Sequence, residues 1–166
     1  MAVVKKIIKF LSTIVYILLF SYGILCLPMF FGYKPLVVLT GSMEPSIQTG
    51  GIIYYHKTNK DELKQGDVIV YSFGQSKVAH RINSIDETGQ YETKGDANNT
   101  VDAVKVNYSN IEGKVAKVTI PYVGYYVRFV NEHSYIVIVA VIILVSEYLV
   151  SNTKAFDIDS KRKEKL

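Results

Sequence analysis

A chain of 166 residues with 49% apolar residues and a net charge of +4 has room for one modest folded domain once its most apolar stretches are set aside. The basic residues crowd the two ends, with Lys5, Lys6 and Lys9 near the start and Lys154, Lys161, Arg162, Lys163 and Lys165 near the finish. This end-loading argues against the basic face of a nucleic-acid-binding domain. The one cysteine, Cys26, excludes an intrachain disulfide and argues against a Cys/His zinc cage. No cofactor or metal is expected, because no His-Glu-x-x-His or comparable ligand spacing occurs.

In chain order, the first element is the run over residues 7–31, apolar apart from Lys9, hydroxyl groups and one glycine. About 20 residues at a rise of about 1.5 Å cross a hydrocarbon core of about 30 Å, so the run predicts a spanning helix. The rival is a cleaved signal peptide. The apolar stretch is too long for that, and no small-x-small cleavage site follows it. Residues 1–31 are therefore expected to be a cytoplasmic N-terminus and an uncleaved transmembrane anchor. Pro28 stands near the outer end, where a helix stops or kinks at little cost.

Residues 32–133 predict a β domain. Short runs rich in Val, Ile, Tyr and Phe lie at residues 36–39, 51–55, 67–73, 78–85 and 115–120. Gly50-Gly51, Gly66-Asp67, Glu87-Thr88-Gly89 and Gly95-Asp96 punctuate them as turns. Short strands at this spacing suggest a small barrel or sandwich. Residues 57–64 are charged and predict a solvated turn. The aromatic cluster Pro121-Tyr122-Val123-Gly124-Tyr125-Tyr126 suits the headgroup level of a bilayer.

Residues 134–150 predict a second transmembrane helix, built on the charge-free run at 135–145. Glu147 is tolerable only near the interface. The alternative is a buried core element of a soluble domain, which the basic tail at 151–166 argues against. Both basic clusters lie beyond the far ends of the two spans. The positive-inside rule then puts both termini in the cytoplasm and the β domain outside it. The expected localisation is a multi-pass protein of the cell membrane, with the lipid bilayer as a partner.

The chemistry centres on Val38-Leu39-Thr40-Gly41-Ser42-Met43-Glu44-Pro45. Gly41 leaves the backbone beside Ser42 open, and Pro45 stiffens the exit. A serine hydroxyl is a weak nucleophile and needs a base within hydrogen-bond reach. The chain has three histidines. His133 falls at the start of the second span, and His56 ends a strand beside the charged turn. His80 lies within Val78-Ala79-His80-Arg81-Ile82, where Val78, His80 and Ile82 share one strand face. It is the candidate base, although a histidine packed on a half-buried sheet is the plainer reading. A carboxylate would orient such a base and stabilise its imidazolium. Asp96 and Asp102 are both candidates, and the residues alone do not choose between them.

Taken together and in this order, these elements resemble type I signal peptidases. The resemblance is carried by Gly41-Ser42-Met43-Glu44-Pro45 after an apolar span, Gly66-Asp67-Val68-Ile69 opening a strand, His80-Arg81, and Lys94-Gly95-Asp96 with the later Asp102. It covers most of residues 36–102. Where the common bacterial enzymes have a lysine base, this chain has His80. That is similar to the histidine version of the endoplasmic-reticulum, archaeal and Gram-positive sporulation-associated enzymes. The resemblance implies a largely β catalytic domain and a serine endopeptidase that removes signal peptides from exported preproteins. It implies Ser42 as nucleophile, His80 as general base, and Asp96 or Asp102 as the orienting acid. It also implies an oxyanion hole from the Ser42 backbone N–H and the Thr40 hydroxyl. A membrane-tethered β binding or assembly module without catalysis is the competing reading. It leaves Ser42, His80 and the aspartates as coincidence, and predicts no approach of Ser42 to His80. Partner subunits are not readable from the residues.

Overall fold

The computed structural model describes the backbone of residues 2–163 and the side chains of residues 3–151. The side chains of the tail expected at 151–166 lie outside the described residues beyond Ser151, as does all of residues 164–166. The chain divides into two compact units. One takes Cys26–Phe129, and the other takes the helix before it and the chain from Val130 onward.

The second of these units holds the long helices. Helix α1 spans Ala2–Cys26. Its few hydroxyls fold back on the helix, Ser12 Oγ donating to the Ile8 carbonyl at 3.0 Å and Thr13 Oγ1 to that of Lys9 at 2.8 Å. These hydroxyls and the helical backbone are thus satisfied internally, as lipid requires of a spanning segment. The helix gives way to a 3₁₀ turn at Leu27–Phe31, which has Pro28 in its first turn and ends on left-handed Gly32. The stretch Val3–Phe31, whose most apolar 18 residues have a mean hydropathy of 2.2, is long and apolar enough to cross a membrane. Helix α3 covers Tyr135–Lys163. Among the described residues, the second apolar stretch reaches spanning length only when α3 is counted together with helix α2, Val123–Glu132. One helix therefore meets the membrane expectation by itself, and the second span does not.

The unit Cys26–Phe129 is built on one antiparallel sheet of six strands, in the order β1-β2-β6-β3-β4-β5. The strands are β1 Lys34–Val37, β2 Ile52–His56, β3 Val68–Phe73, β4 Ser76–Ile85, β5 Tyr91–Lys94 and β6 Ile111–Ile120. The expected barrel or sandwich is instead this single sheet, with β1 and β5 at its ends. The reason lies in β6. It runs ten residues and pairs with both β2 and β3, so two halves that would each form a separate layer become one ladder.

Both faces of that sheet are covered. Val70 of β3 packs with Met43, Ile47, Ile53, Tyr55 and Val115 in one cluster, whereas its neighbours Ile69 and Tyr71 pack with Leu63, Ile82, Tyr91 and Val106 in another. Successive strand residues face opposite sides, so a continuous apolar run such as Val68-Ile69-Val70-Tyr71 is what a strand buried on both faces requires.

Three local features depart from the sequence expectations. Residues 57–64 contain a 3₁₀ turn at Lys60–Glu62, but Leu63 and Thr58 are buried, so the segment is anchored rather than merely solvated. Strand β5 was not anticipated. It carries one apolar and one hydroxyl residue inward, Tyr91 and Thr93, between outward Glu92 and Lys94. The aromatic segment after Pro121 opens helix α2. Its Gly124 lies so close to the Gly50 and Gly51 carbonyls that a Cβ there would stand 2.7 Å from each.

Candidate active site

Ser42 follows β1 by five residues in a tight turn. The Glu44 N–H donates to the Gly41 carbonyl at 3.0 Å, and the Ile47 N–H to that of Met43 at 2.9 Å. Met43 is 2% exposed and sits in the core cluster with Ile53 and Val70. It pins the turn from below while Ser42 stays half-exposed. Glu44 accepts from the Thr49 N–H at 3.1 Å and the Thr49 hydroxyl at 2.6 Å. These bonds close the far side of the turn and hold the Glu44 carboxyl below its ordinary value.

A second loop grips the serine's own backbone. The Ala97 N–H donates to the Ser42 carbonyl at 2.9 Å. A Cβ on Gly95 would stand 2.6 Å from that carbonyl oxygen. Only glycine admits so close an approach of two backbones. The Gly-Asp turn read from the sequence is thus the piece that locks the Ser42 peptide.

The sheet brings His80 to Ser42. His80, on β4, is 9% exposed. Its Nε2 lies 3.1 Å from Ser42 Oγ, and its Nδ1 lies 2.6 Å from Asp102 Oδ2. A carboxylate can only accept, so Nδ1 carries the proton and Nε2 presents its lone pair to the Ser42 hydroxyl. Asp102 also accepts from the Thr93 hydroxyl at 2.6 Å and the Tyr71 hydroxyl at 3.2 Å. The Tyr71 phenol is raised above its ordinary value, chiefly by burial, so it remains a donor.

Asp96 goes elsewhere. It meets Arg81 in a two-pronged pair, from Arg81 Nε to Oδ1 at 2.8 Å and from Nη2 to Oδ2 at 2.6 Å. Arg81 Nη1 also donates to the Gly66 carbonyl at 2.8 Å. The guanidinium holds the Asp96 carboxyl below its usual range. Of the two aspartates, then, Asp102 contacts His80, and Asp96 ties its loop to the strand that carries His80.

Thr40 lies near the serine, with Oγ1 3.4 Å from Ser42 Oγ. His56 lies away from this group, with Nδ1 3.1 Å from the Lys57 carbonyl and its ring edge-on to Tyr33. His133 stacks edge-on with Tyr135. A cavity of about 310 Å³ opens beside His80 and Asp102, with Tyr71, Phe73, Val78 and Val104 among its walls. Among the described residues, no group of three or more His, Cys, Asp or Glu side chains is placed to hold a metal.

Residue-by-residue reading of the sequence missed Met43, Thr93 and Tyr71 as supports of the site. Thr93 had a faint signal, since it shares the parity of Tyr91 just before Gly95-Asp96. Met43 and Tyr71 had none, because an apolar residue beside a turn and a tyrosine in a strand occur in any β domain.

Comparison with known proteins agrees with this architecture. Residues 7–116 match the family described as signal peptidase, peptidase S26. Signal peptidase I W of Bacillus subtilis is 32% identical over 130 residues, 68% of this chain and 68% of that protein. The signal peptidase complex catalytic subunit SEC11 of Lachancea thermotolerans is 36% identical over 114 residues, 60% of this chain and 67% of the relative. Its counterpart in Candida dubliniensis is 33% identical over 112 residues, 60% and 66% of the respective lengths. A family match over most of the chain, together with these relatives, establishes that the chain belongs to the signal peptidase family, peptidase S26, a family of protein-cleaving hydrolases.

Proposed function

We propose that the protein is a membrane-bound serine endopeptidase that removes N-terminal signal peptides from exported preproteins. The observation that carries this reading is the single imidazole of His80 bridging Ser42 Oγ at 3.1 Å and Asp102 at 2.6 Å. Ser42 Oγ attacks the scissile carbonyl carbon while its proton passes to His80 Nε2. The resulting imidazolium is held by Asp102, which stays ionised. Collapse of the tetrahedral intermediate breaks the C–N bond, and His80 returns the proton to the leaving amine. Water, activated by the same imidazole, then releases the signal peptide from Ser42.

The oxyanion of the intermediate is met by the Ser42 backbone N–H and the Thr40 hydroxyl. One such donor typically supplies about 3 kcal/mol in the transition state. The exposed stretch between β1 and Ser42 offers its backbone to an extended substrate. Asp96 keeps the structural duty of its pair with Arg81. The helix over Val3–Phe31 anchors the enzyme in the membrane. The helix from Tyr135 forms the second span, with both termini cytoplasmic and residues 32–133 as the extracytoplasmic catalytic domain. Two of the relatives carry names that make them subunits of a complex. The native mass of the purified protein decides whether this chain also assembles with partners.

The test is incubation of the purified full chain with a preprotein, followed by N-terminal sequencing of the product. Ser42→Ala and His80→Ala are each expected to abolish cleavage while leaving membrane insertion intact. Near-wild-type cleavage by either variant would overturn the proposal.

A further inference from the structure

Asp102 is the least anchored member of the site by chain position. It lies in no strand and follows a run of turn residues, whereas His80 sits mid-strand on β4. A carboxylate on such a loop must be held by something else if it is to keep one geometry against His80 Nδ1. The fold supplies most of that hold through Thr93, which bonds both the main chain and the carboxylate of Asp102.

Thr93 lies on β5 opposite Ile82, two residues along β4 from His80. Its side chain is fully buried, with 0% exposure. It makes two bonds to Asp102. Its backbone carbonyl accepts the Asp102 N–H at 2.8 Å. Its hydroxyl donates to Asp102 Oδ2 at 2.6 Å, the same oxygen that accepts from His80 Nδ1. The two anchor points fix both the main chain of Asp102 and the torsion of its carboxylate. The Thr93 hydroxyl has one proton and two neighbours, and the shorter contact decides its direction. Tyr71 OH stands 3.4 Å away, so the proton goes to the carboxylate. Tyr71 adds a longer bond to Oδ2 and sets its ring edge-on to the His80 ring, with centroids 6.4 Å apart. A short hydroxyl-to-carboxylate bond is directional and strong.

We propose that Thr93 is a positioning residue for catalysis. By clamping Asp102 to the strand that neighbours the His80 strand, it fixes the orientation of the imidazole and so the approach of Nε2 to Ser42. This rests on the reading of Ser42, His80 and Asp102 as the reacting set. Thr93 itself touches neither the serine nor the substrate, and acts only through Asp102.

The experiment uses the full chain in detergent and a preprotein substrate, with kcat and KM measured separately and folding checked by thermal unfolding. Thr93→Val keeps shape and branching but removes the donor. It is expected to lower kcat by about 10- to 100-fold, the scale of a small misplacement of a catalytic group, with KM within about twofold. Thr93→Ser restores the hydroxyl and is expected to return kcat to within about threefold of wild type. In an Asp102→Asn background, Thr93→Val is expected to cost little further, because the two changes break one linkage. If Thr93→Val does not fold, Thr93→Ala, which also lacks the donor, takes its place against Thr93→Ser.

A Thr93→Val (or Thr93→Ala) enzyme with wild-type kcat, a Thr93→Ser enzyme as impaired as the donor-less variant, or full additivity with Asp102→Asn would each overturn the inference. Ser42→Ala, run alongside, separates the two levels. An active Ser42→Ala sinks the proposed function itself. An inactive Ser42→Ala beside an unimpaired donor-less variant sinks only the role of Thr93.

Discussion

Asp96 and Asp102 differ by six positions and have the same chemistry, yet their surroundings give them different work. Asp102 meets an imidazole and two hydroxyls, whereas Asp96 meets a guanidinium. Asp102→Asn is therefore expected to reduce turnover by several orders of magnitude with the fold intact, since an amide in that place favours the wrong imidazole tautomer. Asp96→Asn is expected to act chiefly on stability. Because the Asp96 carboxyl lies below its ordinary value in the fold, the stability it adds is fully present above the unfolded carboxylate pKa of about 3.9 and is lost as pH falls through the lower folded value. Thermal unfolding should thus show Asp96→Asn less stable than wild type near neutral pH, with the gap closing as pH falls below the ordinary carboxylate range. A gap that is unchanged by pH would refute that account. Gly95 is judged at the same scale. Gly95→Ala drives a methyl onto the Ser42 carbonyl, and a loss of cleavage larger than the loss of thermal stability is expected.

The turn between β1 and β2 is held by two deep anchors, Met43 and Ile47. Met43 sits beneath Ser42 in the cluster with Ile47, Tyr55 and Val115. Met43→Ala is expected to cost about 2–5 kcal/mol of stability by leaving a cavity. The neighbouring Ser42 should lose its fixed approach to His80, so activity at low temperature, where the fold persists, falls as well. Met43→Leu, which conserves volume, should recover most of both. At this scale much was readable beforehand. The runs at 51–55, 67–73, 78–85 and 115–120 each overlap an observed strand, because dense Val, Ile and Tyr between Gly and Asp turns has few other solutions. Strand β5 escaped, because its inward residues are Tyr91 and Thr93, and an inward hydroxyl has no apolar signature. Helix α2 escaped because its tyrosines drew attention to the membrane interface. Its docking depends on Gly124 meeting backbone from a segment some seventy residues earlier, which no local pattern encodes.

For the whole molecule, the prediction concerns the bilayer. The stretch Val3–Phe31 is long and apolar enough to cross a membrane, so a fusion of residues 1–33 to a soluble reporter should remain with membranes under alkaline extraction. Release of the fusion would show that the helix does not span. The second stretch is a proposal that cysteine labelling from either side of the membrane can decide, with a reporter cysteine placed after residue 151.

The linear chain by itself determined the long apolar N-terminal stretch, the β character of the middle region, and Ser42 and His80 as candidate site residues. Composition and short motifs are local, and spanning length, strand pattern and turn chemistry are local properties. Only the tertiary structure decided that the strands join into one sheet, that Thr93 and Tyr71 converge on Asp102, and that Asp96 is taken by Arg81. Each of these depends on contacts between segments distant in sequence. The 2.6 Å bond between His80 of β4 and Asp102, itself held by Thr93 of β5, needs the register of β4 against β5, and register is a property of the folded sheet rather than of either strand.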